Sequence, residues 1–201
     1  MSARIISEND PTALSDVVYV LANGGIVVSP TETCYGILAD ATNPTAVEKL
    51  YKIKGRSHSK AISIFVPDER TLYGIAATSQ AAKKLVKKHL PGPLTLILEQ
   101  RKPTILAKNL TDGKTIAVRI SSHPFISGVL FNYNKPVTAT SANHSGKGEI
   151  YSGSEAVRLL GKLTDIIVDG GNLKKARPST IVDCTGTRPQ IVRQGSIRLK
   201  L

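Results

Sequence analysis

"SPTETCYGILAD", residues 29–40, comes directly after Gly25-Ile26-Val27-Val28, a short apolar run that reads as a buried strand. The strand runs into Pro30, two threonines, one acid, one thiol, a tyrosine and a glycine. If the segment stays extended, Thr31, Thr33 and Tyr35 share one side, and Glu32 and Cys34 share the other. The first set is then placed to line a pocket while the second meets the protein body. The same period also allows a structural ladder of hydroxyls.

The flanks of this stretch decide the class of fold. Upstream, Asp10-Pro11 is a helix start, a capping acid followed by proline at the first helical position. Leu14, Val17, Val18 and Leu21 follow at helical spacing, and Asn23-Gly24-Gly25 stops the helix. Downstream, Asn43-Pro44 repeats the start signal, Val47, Leu50 and Tyr51 form the buried stripe, and Gly55 ends the helix. Strands are expected over 26–29, 61–66, 94–98, 115–120, 136–139, 165–168, 179–183 and 190–193. Further helices are expected over 80–90, 125–131 and 155–160. Alternating helices and strands argue an α/β fold, and late strands that follow one another without helices argue a mixed sheet. With no repeat, linker or low-complexity segment, residues 1–201 read as one domain.

Lysine plus arginine number 27 against 15 acids, a net charge of +12. Such an excess favours polyanionic company: nucleotide, nucleic acid or an acidic membrane. Ordinary solubility charge is the competing explanation. Cys34 and Cys184 stand at no motif spacing, which disfavours a disulfide framework or a zinc site. The residues 1–11 have no signal-peptide core, and no apolar run has membrane-span length, so we expect a soluble, cytoplasmic protein without a membrane partner.

Several common chemistries lack their residues. There is no G-x-G-x-x-G after the first strand, and "GKT" at 113–115 has Lys108 where a phosphate loop needs glycine. His58, His89, His123 and His144 make no metal-ligand spacing, so a divalent ion would arrive with nucleotide phosphates. No serine–histidine–acid or catalytic-cysteine pattern occurs, and Glu32 is left as a possible lone base. "YKIKGRSHSK" (51–60) instead clusters Lys52, Lys54, Arg56 and Lys60 at a helix end. They either complement the helix dipole as solvated charges or, turned by Gly55, converge on a phosphate. "TATSANHSG" (138–146) is either an ordinary polar turn or a strand-end loop that binds a polar ligand. "AAKKLVKKHL" (81–90) sets Lys83, Lys84, Lys87 and Lys88 opposite Leu85, Val86 and Leu90, giving a solvated face or contacts to an RNA backbone. Hydroxyls, amides and cations of this kind orient anions and neutralise developing charge, which suits nucleotidyl or phosphoryl transfer better than hydrolysis.

Taken in order, "SPTETCYGI" (29–37), "KIKGR" (52–56), "PGPLTLIL" (91–98), "TIAVRI" (115–120), "HP" (123–124), "VTATSANHSG" (137–146), "PSTIVD" (178–183) and "IVRQGSI" (191–197) resemble the YrdC family of threonylcarbamoyl-AMP synthases. The resemblance spans nearly the whole chain. It implies a twisted, open, mixed sheet of parallel and antiparallel strands with flanking helices and a basic concave face. It also implies that L-threonine, bicarbonate and ATP, with Mg²⁺ carried by the nucleotide, give threonylcarbamoyl-adenylate and pyrophosphate. A separate threonylcarbamoyl transferase complex would then modify an adenosine beside the anticodon of tRNA, and tRNA itself is a candidate partner.

Residue by residue, the resemblance makes Lys54, Arg56, Ser141 and Asn143 the catalytic set. It places Arg56, Lys60, Thr115, Ser141 and Arg193 near ATP, and Thr33, Arg119 and Ser179 near threonine. It also tips the opening stretch toward a pocket wall. This chain departs from the pattern at Lys60 and Phe65, where some members carry Asn and His, and at Ser121, where a proline is common. We expect Phe65 to lack the polar contact of that histidine and Ser121 to loosen its turn. The chain reads as the short form of the family. The alternatives are a non-catalytic double-stranded RNA- or tRNA-binding module and the carbamoyl-transfer domain of hydrogenase maturation. The intact Lys-x-Arg and Ser-x-Asn sets argue against the first, and the lack of Cys-x-x-Cys pairs argues against the second.

Overall fold

The computed structural model describes residues 2–111 and 113–199. The strands are β1 (Arg4–Ser7), β2 (Val27–Ser29), β3 (Gly36–Leu38), β4 (Ser63–Phe65), β5 (Ala76–Ala77), β6 (Leu94–Gln100), β7 (Thr115–Arg119), β8 (Val137–Ser141), β9 (Ile166–Asp169), β10 (Thr180–Asp183) and β11 (Gln190–Arg193). The helices are α1 (Ala13–Ala22), α2 (Pro44–Lys54), α3 (Glu69–Ile75), α4 (Gln80–His89), α5 (Pro124–Tyr133) and α6 (Gly153–Leu160). The strands form one sheet in the order β1-β9-β2-β3-β8-β4-β7-β6-β10-β11, with β5 paired to one end of β6. β1–β9, β2–β9, β4–β7 and β6–β10 are parallel, and the other pairs are antiparallel. The mixed α/β sheet with flanking helices expected from sequence is therefore present. Among the described residues, no helix is long and apolar enough to cross a membrane.

Strand alternation sorts the residues onto two faces. On one face Val28, Ile37, Ile64, Leu96, Val118 and Val182 enter a core with Val47 and Leu50 of α2, Leu72 of α3, Val86 of α4 and Ala156 of α6. On the other face α1 and α5 cover Val27, Leu38, Val137, Ile166 and Val168. That second pair of helices reaches only one half of the sheet. Beyond Leu38 and Val137 the same face continues through Gly36, Ala139, Phe65, Ala117 and Ile97, and there it lines a cavity. The site is thus the uncovered half of a sheet face.

Local signals account for the helix ends. Asn43 accepts hydrogen bonds from the amides of Thr45 and Ala46, and Gly55 closes α2 in the left-handed region at φ 54°. Asp68 and Ser79 cap α3 and α4 through the amides of Thr71 and Ala82. Asp10 does not cap α1 as expected from the sequence. It binds the amide and hydroxyl of Thr12, forming a turn, and the helix begins at Ala13.

The opening stretch is not extended. The Thr31 amide and hydroxyl both donate to the Cys34 carbonyl, at 3.1 and 2.7 Å, so residues 31–34 turn back and join β2 to β3 as an antiparallel hairpin. The expected two-sided arrangement fails for that reason. Thr31, Thr33 and Cys34 face the cavity, whereas Tyr35 is fully buried, its hydroxyl donating to Gly171 O at 2.9 Å and accepting from the Gly170 amide at 3.0 Å.

Candidate active site

The cavity has a volume of about 300 Å³ and is walled by neighbouring strands β3, β8, β4, β7, β6, β10 and β11. Period-two alternation turns every second residue of these strands to the cavity and the residues between them to the core. Thr95 and Ile97 alternate with Leu94, Leu96 and Leu98, and Ala117 and Arg119 alternate with Ile116 and Val118. Of the residues singled out from sequence, Thr33, Arg56, Arg119, Ser141, Ser179 and Arg193 line this one cavity.

Arg119 is 6% exposed. Its Nε donates to Gly92 O at 3.2 Å, and its guanidinium lies over the Phe65 ring at 5.5 Å. Phe65 therefore supports the arginine with its face. Nη2 lies 2.8 Å from Glu32 Oε1, yet it is aligned on no acceptor. Nη2 is buried, so the guanidinium meets its charge partner at its buried end.

Glu32 is not a lone base. Its Oε2 accepts from the Ser121 hydroxyl at 2.7 Å and its Oε1 accepts from the Ser122 amide at 3.0 Å. Burial opposes ionisation of Glu32, but Arg119, the Ser121 hydroxyl and the Ser122 amide outweigh it and hold the carboxyl below its ordinary range. A carboxylate so held makes a poor proton acceptor. Ser121 does not loosen its turn either. It is 1% exposed, and its hydroxyl both grips Glu32 and accepts from the His123 amide at 3.1 Å.

Arg193, on β11, donates from Nη2 to O of Ser179, the residue just before β10, at 2.8 Å and to Ser179 Oγ at 3.1 Å, while Ser179 Oγ lies 2.9 Å from Thr95 Oγ1. Gly195 makes this possible. A Cβ there would collide with the Pro178 carbonyl and the Ser179–Thr180 backbone, so the chain passes where only glycine fits. Arg56 donates from Nε to Lys60 O at 3.0 Å and from Nη2 to Ala61 O at 2.9 Å, which ties down the loop after α2 while the side chain borders the cavity.

Lys54 is placed differently from Arg56. It is 2% exposed and does not border the cavity. Its ammonium donates to Ser141 O, Asn143 O and Asn143 Oδ1 at 2.5, 2.9 and 3.2 Å. Burial, aided by the Arg56 charge and opposed by Cys34, pushes its pKa down to about 8. Asn143 accepts from the Ser141 hydroxyl and donates to Lys147 O. Lys54 and Asn143 thus brace the 141–147 loop from behind, and Ser141 is the member of that group at the cavity wall. Lys60 is exposed and does not border the cavity; Thr115 shares the strand face of Ala117 and Arg119 but sits beyond the wall. Lys83, Lys84, Lys87 and Lys88 are exposed on α4, which packs on the opposite face of the sheet.

Sequence reasoning missed Thr95, Cys34 and Glu149 as cavity residues. Thr95 had a signal, a hydroxyl inside the apolar run 94–98. Cys34, whose thiol burial pushes up to about 11, and Glu149 had none, because loops carry them to the wall. Among the described residues no cluster of histidine, cysteine and acidic side chains is arranged to hold a metal ion.

Residues 19–195 match the Sua5_yciO_yrdC family model, whose description reads "Telomere recombination". The chain is 37% identical over 182 residues to a putative threonylcarbamoyl-AMP synthase of Methanocaldococcus jannaschii, covering 90% of this chain and 84% of that protein. It is 34% identical to the threonylcarbamoyl-AMP synthase of Vibrio vulnificus, covering 90% of this chain and 98% of that one. The crystal structure of Pyrococcus abyssi Sua5 complexed with L-threonine superposes with a TM-score of 0.89 at 29% identity, covering 96% of this chain. This chain spans only 58% of that longer protein. A family match over most of the sequence, relatives covered over most of their own length and a shared sheet agree: the chain belongs to the Sua5/YciO/YrdC family.

Proposed function

We propose that this chain is a threonylcarbamoyl-AMP synthase, a cytoplasmic nucleotidyltransferase working as a single domain over residues 1–201. The observation that carries the reading is one cavity shared by three arginines, Arg56, Arg119 and Arg193, and the hydroxyls of Thr33, Ser141 and Ser179. The names of its relatives and the threonine held by the Pyrococcus protein support the same reading.

The chemistry needs no strong protein base. The threonine amine and bicarbonate condense to a carbamate with loss of water, and a carbamate oxygen attacks the α-phosphorus of ATP. Pyrophosphate leaves, and the carbamate becomes joined to AMP. The protein's task is to hold two anions against each other and to neutralise the charge that builds between them. In this reading Arg119 takes the threonine carboxylate, with Thr33 and Ser179 orienting the amino acid. Arg56, Ser141 and Arg193 face the nucleotide, and Lys60 and Thr115 approach it from beyond the wall. Lys54 and Asn143 act by holding Ser141 in place. Mg²⁺ enters as part of the nucleotide substrate. The product passes to a threonylcarbamoyl transferase complex that acts on tRNA.

The test is incubation with radiolabelled bicarbonate, L-threonine, ATP and Mg²⁺. Threonine-dependent label in an adenylate, released with stoichiometric pyrophosphate, is expected. Folded protein that yields no such product while binding tRNA tightly would replace this reading with the RNA-binding one.

A further inference from the structure

We propose that Glu32 is a positioning residue for the amino-acid subsite: anchored by Ser121 and Ser122, it sets the plane of the Arg119 guanidinium and through it the grip on the substrate's carboxylate. This rests on the synthase reading, in which Arg119 receives that carboxylate.

Glu32 does not border the cavity, so it acts through another group. Both its oxygens are committed: Oε2 to the Ser121 hydroxyl, Oε1 to the Ser122 amide and the Arg119 charge. The Ser122 amide belongs to the turn that enters α5, so the carboxylate is fixed against the backbone and a 1%-exposed hydroxyl. Among the described residues Arg119 has two other restraints, a long bond to Gly92 O and the Phe65 face. The long bond and the ring face together restrain only loosely the torsion about Cδ–Nε, which sets the plane of the rigid guanidinium. A fork-on-fork pairing with a carboxylate needs that plane fixed beforehand. The Nη2 contact fits the role: Nη2 is buried, so Glu32 holds the guanidinium by charge from its buried end. Ser121 supplies a donor that a proline at this position could not.

Removing the Glu32 charge would do two opposing things. It would free the Arg119 plane and also strip away a neighbour that repels the ligand carboxylate. Charge-conserving variants avoid that ambiguity. Glu32→Asp is one methylene short and cannot reach Arg119, Ser121 and Ser122 together. Ser121→Ala leaves the charge and removes one anchor.

The experiment is calorimetric titration of L-threonine and of L-threoninol, which lacks the carboxylate, into wild type, both variants and the double variant. We expect the threonine Kd to rise about tenfold in Glu32→Asp and about threefold in Ser121→Ala, from partial loss of a bidentate pairing. The double variant should also lose about tenfold, since both changes act on one guanidinium. Threoninol should bind all four proteins alike, and the KM for ATP and the kcat at saturating threonine should stay within twofold. Unchanged threonine affinity in Glu32→Asp overturns the proposal. A parallel fall for threoninol, or an equal rise in the ATP KM, also overturns it, because general loosening would do that. Wild type that binds no threonine overturns the synthase reading and this proposal together, whereas wild-type binding with unaltered variants overturns this proposal alone.

Discussion

Lys54→Met separates a brace from a phosphate ligand. The methionine keeps the buried stem and removes the ammonium, leaving Ser141 O, Asn143 O and Asn143 Oδ1 without their shared donor. Partly buried acceptors stripped of a charged donor fall toward the lower end of about 1–3 kcal/mol each, so about 5 kcal/mol for the three. Against this stands relief from burying a charge. The gap between the ordinary lysine value of 10.5 and about 8 corresponds to about 3 kcal/mol of net penalty from desolvation and the Arg56 charge. The net expectation at pH 7 is a loss of about 2 kcal/mol, or a Tm roughly 4–8 °C lower for a chain of this size.

The sign of the pH dependence follows from the lowered pKa. Between about pH 8 and 10.5 the folded protein has released the Lys54 proton while the unfolded chain still binds it. Stability of the wild type therefore rises with pH through that window, by up to about 3 kcal/mol, and the methionine variant lacks this gain. Scanning calorimetry of both proteins at pH 7 and pH 10 reads both effects. A variant that melts within about 1 °C of wild type at both pH values, yet no longer turns over ATP, would refute the brace and place Lys54 on the substrate.

Arg56→Ala should abolish pyrophosphate release while lowering Tm by less than about 2 °C, since its side chain is partly exposed and anchors only a surface loop; full activity would remove Arg56 from the nucleotide site. Tyr133→Phe deletes a 2.6 Å hydrogen bond to buried Asp40, which should cost about 2 kcal/mol with threonine affinity intact. A thermal melt unchanged within about 1 °C would deny that bond any weight. Replacing Lys83 and Lys87 by alanine should leave synthase turnover unaltered, because α4 lies on the opposite sheet face. If that helix contacts tRNA, the salt dependence of binding should flatten by about two phosphate contacts; an unchanged slope leaves it a solvated face.

What the sequence made legible was local. Asn43 and Gly55 marked both ends of α2 because a capping side chain and a left-handed glycine act within one turn. β11 was read at its observed bounds from its four residues alone. What escaped depended on partners far along the chain. β1 is recognisable only through its pairing with β9, and β3 only once the Thr31 hydroxyl has turned the hairpin. α3 had a readable start in Asp68 and Thr71, but its seven residues show too little periodicity. The same division holds in the site. Alternation alone could put Arg119 on one face of β7, but its contact with Glu32 needed the turn at residues 31–34. Lys54 and Arg56 are two residues apart in one motif, yet one is buried and the other borders the cavity. Charge type is visible in a sequence, whereas burial is a property of the whole packing.

The parallel pairing of β10 against β6 has a consequence for synthesis. Strands β6 and β7 are made long before residues 179–193, so the nascent chain carries β6 with residues 94–97 unpaired along one edge, β5 covering only Glu99 and Gln100. At ordinary elongation rates of about 5–20 residues per second, that edge waits for several seconds in a form open to wrong partners. The strand that ends the exposure also delivers Ser179 to Thr95, and β11 follows with Arg193. Completion of the cavity wall and protection of the open edge therefore arrive in the same step of biosynthesis.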